Sequence, residues 1–210
     1  MSIMFKGIFP IKCYETILTD DFSKLKDFAR NSKYKDALTN EMDDQTLVGS
    51  TDNRILEHPD LYYIKKTLMY HFNKFINSIS LIPPYTTNII TTSWIARIKQ
   101  GGFIHNHNHC NSWYSGLLYF DDDYTGATPL KLENPLYVFN HFDIEEEPDS
   151  FYSIIPEPNK IFFFPSYLKH MSDVQTGDKT RYSLAWNIYP DGNLGRSDSD
   201  SYLETKWLSS

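Results

Sequence analysis

Residues 101–116 read GGFIHNHNHCNSWYSG. The stretch sets His105, His107 and His109 on alternate positions, after a Gly-Gly turn at Gly101–Gly102 and before an aromatic strand that opens SWYSG. Side chains alternate across a strand, so a regular strand here would turn all three imidazoles to one face. Two imidazoles on one face can serve a single metal ion, and the third ligand then comes from a distant element. Imidazole suits iron, zinc, copper and nickel. The plain alternative is an adventitious, tag-like histidine cluster.

The segment FFFPSYLKHMSDVQTGDKTRYSLAW, Phe162–Trp186, carries the second signal. An apolar strand runs into Pro165-Ser166, then His170, then Arg181 eleven residues later. A histidine just past a strand end is well placed for a barrel mouth, where ligand sites gather. In TRYSLAWNIY, Arg181, Ser183, Ala185 and Asn187 share one face, and Tyr182, Leu184, Trp186 and Ile188 share the other. A guanidinium aimed into a β-core needs a partner, and a carboxylate fits its fork bidentately. That carboxylate belongs either to a core acid or to a ligand. His-x-His, a distal His and a following Arg together describe a three-ligand metal centre with open positions, beside an anchor for a chelating cosubstrate. This is the layout of a non-haem iron oxygenase.

The rest of the chain agrees with a β-rich host. Of 210 residues, 16% are aromatic, including 15 Tyr and 14 Phe, and such residues favour strands. Helical patterns occupy the first 80 residues. DDFSKLKDFAR opens on Asp20 and Asp21 and repeats apolar groups at Phe22, Leu25, Phe28 and Ala29. Leu61, Ile64, Leu68, Phe72, Phe75, Ile76 and Ile79 form a stripe behind Pro59, and Pro83-Pro84 ends it. From Asn88 onward NIITTSWIARI, SWYSGLLYF, ATPLKLENP, KIFFFPSYL and TRYSLAWNIY read as short strands, which suggests a sandwich or barrel. The expectation is one domain over 1–210, with helical and strand support over 1–87, a β-core over 88–190 and a polar extension over 191–210. Residues 121–159 are expected to form a lid or insertion over the barrel mouth.

The net charge of −7, from 20 basic and 27 acidic residues, does not draw phosphate backbones, so duplex nucleic acid is not an expected partner. The acids of 121–123 and 143–149 read as solvated loops. Cys13 and Cys110 sit in no CxxC pattern, which fits a reducing compartment. The opening MSIMFKGIFP lacks a long apolar core, and no apolar run reaches the roughly 20 residues of a membrane span, so a soluble cytoplasmic protein is expected.

These motifs resemble the Fe(II)- and 2-oxoglutarate-dependent oxygenase superfamily, and within it an oxygenase family found in bacteria and phages. The resemblance rests on His107-Asn108-His109, Ser115-Gly116-Leu117-Leu118-Tyr119, Phe164-Pro165-Ser166, His170 and Arg181-Tyr182-Ser183, in that order. It covers about residues 88–190. It implies a mainly β fold with flanking helices, a double-stranded β-helix of the jelly-roll, cupin-like kind. It implies Fe(II) held by His107, His109 and His170. It implies 2-oxoglutarate chelating that iron, its far carboxylate paired with Arg181 and aided by Ser183 and Tyr119. The register His105/His107 is the alternative.

The chain departs from the superfamily's usual His-x-Asp or His-x-Glu: no acid lies between Gly101 and Phe120. Either the triad is all histidine or one imidazole is not a ligand. The activity implied is a hydroxylase that consumes O2 and 2-oxoglutarate and releases succinate and carbon dioxide. Its substrate, a small molecule or a protein side chain, is not legible. Two rivals use the same barrel: a cupin-like metal-binding protein without 2-oxoglutarate, and a carbohydrate-binding or structural jelly roll that uses aromatics such as Trp94, Trp113 and Trp186.

Overall fold

The alternating run that starts at Arg181 becomes a strand in the middle of a large sheet. The structure is a computed structural model that describes residues 10–36, 47–79, 86–135 and 150–205. Its elements run β1 (Tyr14–Ile17), α1 (Ser23–Asn31), β2 (Tyr34–Asp36), β3 (Leu47–Ser50), α2 (Tyr62–Ser78), β4 (Thr86–Ile98), β5 (Tyr114–Leu118), β6 (Leu130–Glu133), β7 (Phe151–Ile154), β8 (Lys160–Pro165), β9 (His170–Met171), β10 (Arg181–Leu194) and β11 (Leu203–Thr205). The large sheet has the order β1-β8-β5-β10-β4-β3-β2, with β11 folding back on β10. A second sheet has the order β7-β6-β9. The named strand pairs are antiparallel.

The two faces of the large sheet make two cores. Outward-facing Phe163, Leu118, Leu184, Trp186 and Ile188 meet Ile64, Leu68, Phe72 and Phe75 of α2. The α2 stripe repeats every three or four residues, so one helix face lies on the sheet. Phe72 sits 5.3 Å from Phe163, ring centre to ring centre. Inward-facing Leu117, Tyr119, Phe162 and Phe164 meet Leu130, Leu132 and Ile154 of the small sheet. The candidate site lies in this inner layer. Gly116 stands opposite Trp186 in the register. A Cβ there would come within 2.3 Å of the indole, so glycine is what admits the tryptophan.

Several expectations are corrected. Residues 105–109 are not a regular strand: His107 makes only an isolated bridge with His170. Of 121–159, residues 130–133 and 151–154 are strands of the small sheet rather than a lid. The strand expected within ATPLKLENP is Leu130–Glu133, with Leu130 and Leu132 buried. Asp121, Asp122 and Asp123 are not simply solvated. They pair with Arg30, Lys26 and Lys179 and tie α1 and the 175–180 loop to the end of β5. Pro83-Pro84 and the acids of 143–149 lie outside the described residues. The first helix starts at Ser23, whose N–H donates to the Asp21 carboxylate at 2.9 Å. Residues 191–194 continue β10, and 203–205 pair back on it. Cys13 and Cys110 are free. Among the described residues, no helix is long and apolar enough to cross a membrane.

Candidate metal centre

Two chain segments meet to form the centre. The loop after β4 runs beside the segment carrying β9: His107 N–H donates to His170 O at 3.1 Å, and His170 N–H donates to His107 O at 2.8 Å. His109 N–H donates to Ser166 O at 3.1 Å. These bonds bring together His107, His109 and His170, whose candidate ligand atoms lie within 4.8 Å of one another. The rings of His107 and His170 are 4.3 Å apart, and those of His109 and His170 are 4.9 Å apart. His105 is exposed and packs edge-on against Phe103 at 4.6 Å. It does not join the group.

Each ring of the group has its Nδ1 engaged. His107 Nδ1 donates to His105 O at 2.7 Å, and His170 Nδ1 donates to Leu168 O at 3.2 Å. His109 Nδ1 meets Asn187 Oδ1 at 2.7 Å and Ser115 Oγ at 2.8 Å. A ring whose Nδ1 donates keeps its Nε2 lone pair for a metal, and such outer bonds fix ring orientation and basicity. Behind His109 stands a polar chain. Ser115 and Ser166, both fully buried, are 2.8 Å apart, and Ser112 lies 2.7 Å from Ser166.

The electrostatics favour neutral rings. Burial pushes His170 down to about 3, and the neighbouring His107 and His109 push the same way. Burial pushes His109 down to about 4, with His107 adding to it and the Asn187 bond opposing it. Both are therefore unprotonated, as a metal ligand must be. Trp94 lies 5.4 Å from His109 and Phe164 lies 5.1 Å from His170, so aromatic walls back the pair.

A cavity of about 150 Å³ is lined by the three histidines together with Trp94, Leu117, Ser183, Tyr119 and Arg181. Arg181 is 2% exposed and Tyr119 is 1% exposed. Arg181 donates one Nη1 bond to Thr128 O at 2.5 Å, and its guanidinium carbon lies 6.0 Å from the Tyr119 ring centre. Arg181 Nε and Tyr119 Oη are buried without a hydrogen-bond partner. Burial raises the Tyr119 hydroxyl, so it stays a neutral donor. A buried cation and a buried hydroxyl left unsatisfied are costly and call for an acceptor. An anionic group reaching down from the metal fits both. The donors present therefore suit Fe(II) at the histidines and a dicarboxylate keto acid in the cavity. Ser183 lines the same wall.

His107, His109 and His170, the expected ligands, converge. Asn187 lies on the Arg181 face of β10, and the contacts of Ser115, Ser166, Thr128 and Gln175 are not foreshadowed by any motif. Asn187 was accessible through its shared face with Arg181. Thr128 and Gln175 carry no local signal, because their importance lies in contacts between loops.

Residues 92–187 match the family described as "Putative 2OG-Fe(II) oxygenase". No curated protein is similar enough in sequence to count as a relative. Among solved structures, a 2OG-Fe(II) oxygenase family oxidoreductase from Burkholderia pseudomallei superposes with a TM-score of 0.56 at 10% identity, over 83% of each chain. A Pseudomonas putida prolyl-4-hydroxylase gives 0.55 at 13% identity, over 85% of this chain and 94% of its own. HygX from Streptomyces hygroscopicus, with nickel, 2-oxoglutarate and hygromycin B bound, gives 0.57 at 6% identity, over 85% and 82%. Likeness at such low identity concerns the fold, the double-stranded β-helix.

Proposed function

We propose that this chain, whose residues 92–187 belong to the 2OG-Fe(II) oxygenase family, is an Fe(II)- and 2-oxoglutarate-dependent oxygenase of the hydroxylase type. One observation carries the reading. A single cavity is lined both by the three outer-bonded imidazoles and by Arg181 and Tyr119, whose Nε and Oη are buried donors without a partner. His107, His109 and His170 would hold the metal. Arg181, Tyr119 and Ser183 would hold the far carboxylate of the cosubstrate. With O2, the bound metal and cosubstrate supply oxidation of a substrate C–H bond, coupled to release of succinate and carbon dioxide. The chain's own share is to keep two rings neutral, orient three ligands and exclude water from the carboxylate end.

The substrate is a small molecule or a protein side chain. Duplex nucleic acid is disfavoured by the net charge of −7. We place the protein in the cytoplasm of a bacterium, host- or phage-encoded. The absence of CxxC pairs and the two free thiols support the reducing compartment. The decisive experiment mixes anaerobic protein with Fe(II) and 2-oxoglutarate, admits oxygen and measures succinate. Succinate above a metal-free control is expected, and none across a broad substrate panel would overturn the reading. The bond from Arg181 Nη1 to Thr128 O favours a second reading, a cupin-like metal protein in which Arg181 is structural. A calorimetric titration of the metal-loaded protein with 2-oxoglutarate separates the two.

A further inference from the structure

Gln175 is 0% exposed, lies between β9 and β10, and belongs to neither the metal group nor the cavity lining. A fully buried amide has four hydrogen-bonding positions to satisfy. Here Oε1 accepts from Thr128 N at 2.9 Å and from Thr128 Oγ1 at 3.2 Å. Nε2 donates to Gly126 O and to Lys179 O, each at 3.3 Å. The main chain of Gln175 is occupied too: its N–H donates to Gly102 O at 2.7 Å, and its carbonyl accepts from Gly101 N at 2.8 Å. Ser172 and Ile104 continue this ladder, with Ser172 N–H donating to Ile104 O and Ile104 N–H donating to Ser172 Oγ. One residue therefore joins three loops: 100–104, which leads into the histidines; 125–128; and 175–180, which leads into Arg181. No side chain fits between two of them. A Cβ on Gly177 would lie 2.7 Å from Gly126 O and 3.2 Å from Gln175 Nε2.

The joint matters through Thr128. Its amide and hydroxyl are held by Gln175, and its carbonyl takes Arg181 Nη1 at 2.5 Å. Building on the functional reading above, we propose that Gln175 is a positioning residue for the cosubstrate. It fixes the Thr128 carbonyl, which holds one edge of the guanidinium and leaves the rest for the ligand carboxylate. It also ties that anchor to the loop bearing His107 and His109, and so sets the span between metal and Arg181. A span held in this way selects the length of the diacid that bridges it.

The test compares 2-oxoglutarate with 2-oxoadipate, one methylene longer, by anaerobic calorimetry on the Mn(II)-loaded protein. Gln175→Met keeps the volume and removes all four side-chain bonds. The ratio of the two affinities is expected to fall about tenfold toward the longer acid, the scale of one or two lost buried hydrogen bonds, while Mn(II) affinity stays at the parent value. A purely structural role would weaken both acids alike and leave the ratio unmoved. An unchanged ratio in a folded, metal-binding Gln175→Met overturns the proposal. If that variant does not fold, Thr128→Ala decides. It removes the hydroxyl donated to Gln175, with one methyl, at a half-buried site and keeps the backbone bond, a shift of about threefold is expected, and a parent ratio overturns the proposal. A parent protein that binds neither acid would instead overturn the functional reading itself.

Discussion

Asn187 Oδ1 stands 2.7 Å from His109 Nδ1, and Asn187 Nδ2 donates to Thr92 Oγ1 at 3.0 Å. With the amide nitrogen on the threonine hydroxyl, the amide oxygen faces the ring and can receive an N–H from Nδ1. Outer partners of this kind are worth about 10–100-fold in metal affinity. Asn187→Leu should weaken Mn(II) binding by about that factor, read by calorimetry on the metal-free protein. Asn187→Asp keeps the acceptor and should retain most of the affinity. Parent affinity in the leucine variant would remove Asn187 from any role at the centre.

The two possible registers of the histidine run make opposite predictions. His105 faces Phe103 and solvent, while His107 bridges to His170. His105→Ala should bind Mn(II) within about threefold of the parent, whereas His107→Ala and His170→Ala should each lose it by well over tenfold. Loss in His105→Ala with retention in His109→Ala would reverse the assignment.

Tyr119 offers a split in sign. Its hydroxyl is buried without a partner, so Tyr119→Phe removes an unsatisfied group from the ligand-free protein. The melting temperature of that variant should equal or exceed the parent's. Its affinity for 2-oxoglutarate should fall about fivefold to tenfold, the worth of one hydrogen bond to a charged acceptor. An affinity at or above the parent's would show that the carboxylate does not take its hydrogen bond from Tyr119.

Acid should destabilise the metal-free protein early. His109 and His170 are held near 4 and 3 in the fold, whereas an unfolded histidine titrates near 6.5. Between those values the unfolded chain binds protons that the fold refuses, so stability is full above about pH 6.5 and declines toward pH 4. Thermal melts over this range should show the decline, and His170→Gln should flatten it. An equal slope in that variant would assign the effect to other groups.

Much of the fold was legible because it depends on periodicity. The α2 stripe declares one buried face, and it is buried; the alternation of β10 separates its two faces, of which Leu184, Trp186 and Ile188 pack on the outer core while Arg181 and Ser183 are buried on the inner one. The histidine run was legible as composition but not as geometry. A period of two implied a strand and three equivalent rings. The backbone of 105–109 instead leaves the strand path after β4, touches β9 at one bridge, and presents two rings while the third turns away. Asn187, Thr128 and Gln175 work across 78, 53 and 47 positions of chain. Only the closed fold brings those ends together; the alternation of β10 puts Asn187 on the right face, but no window of sequence displays Thr128 or Gln175.

The ligand group contains three imidazoles and no acid. On the functional reading a divalent ion held there keeps its full double charge until a dianionic keto acid arrives. Metal and cosubstrate then bind with positive heterotropic linkage, each tightening the other by the same factor. Retention of iron by this protein becomes a function of the keto-acid concentration around it, so metal occupancy itself would report on that pool.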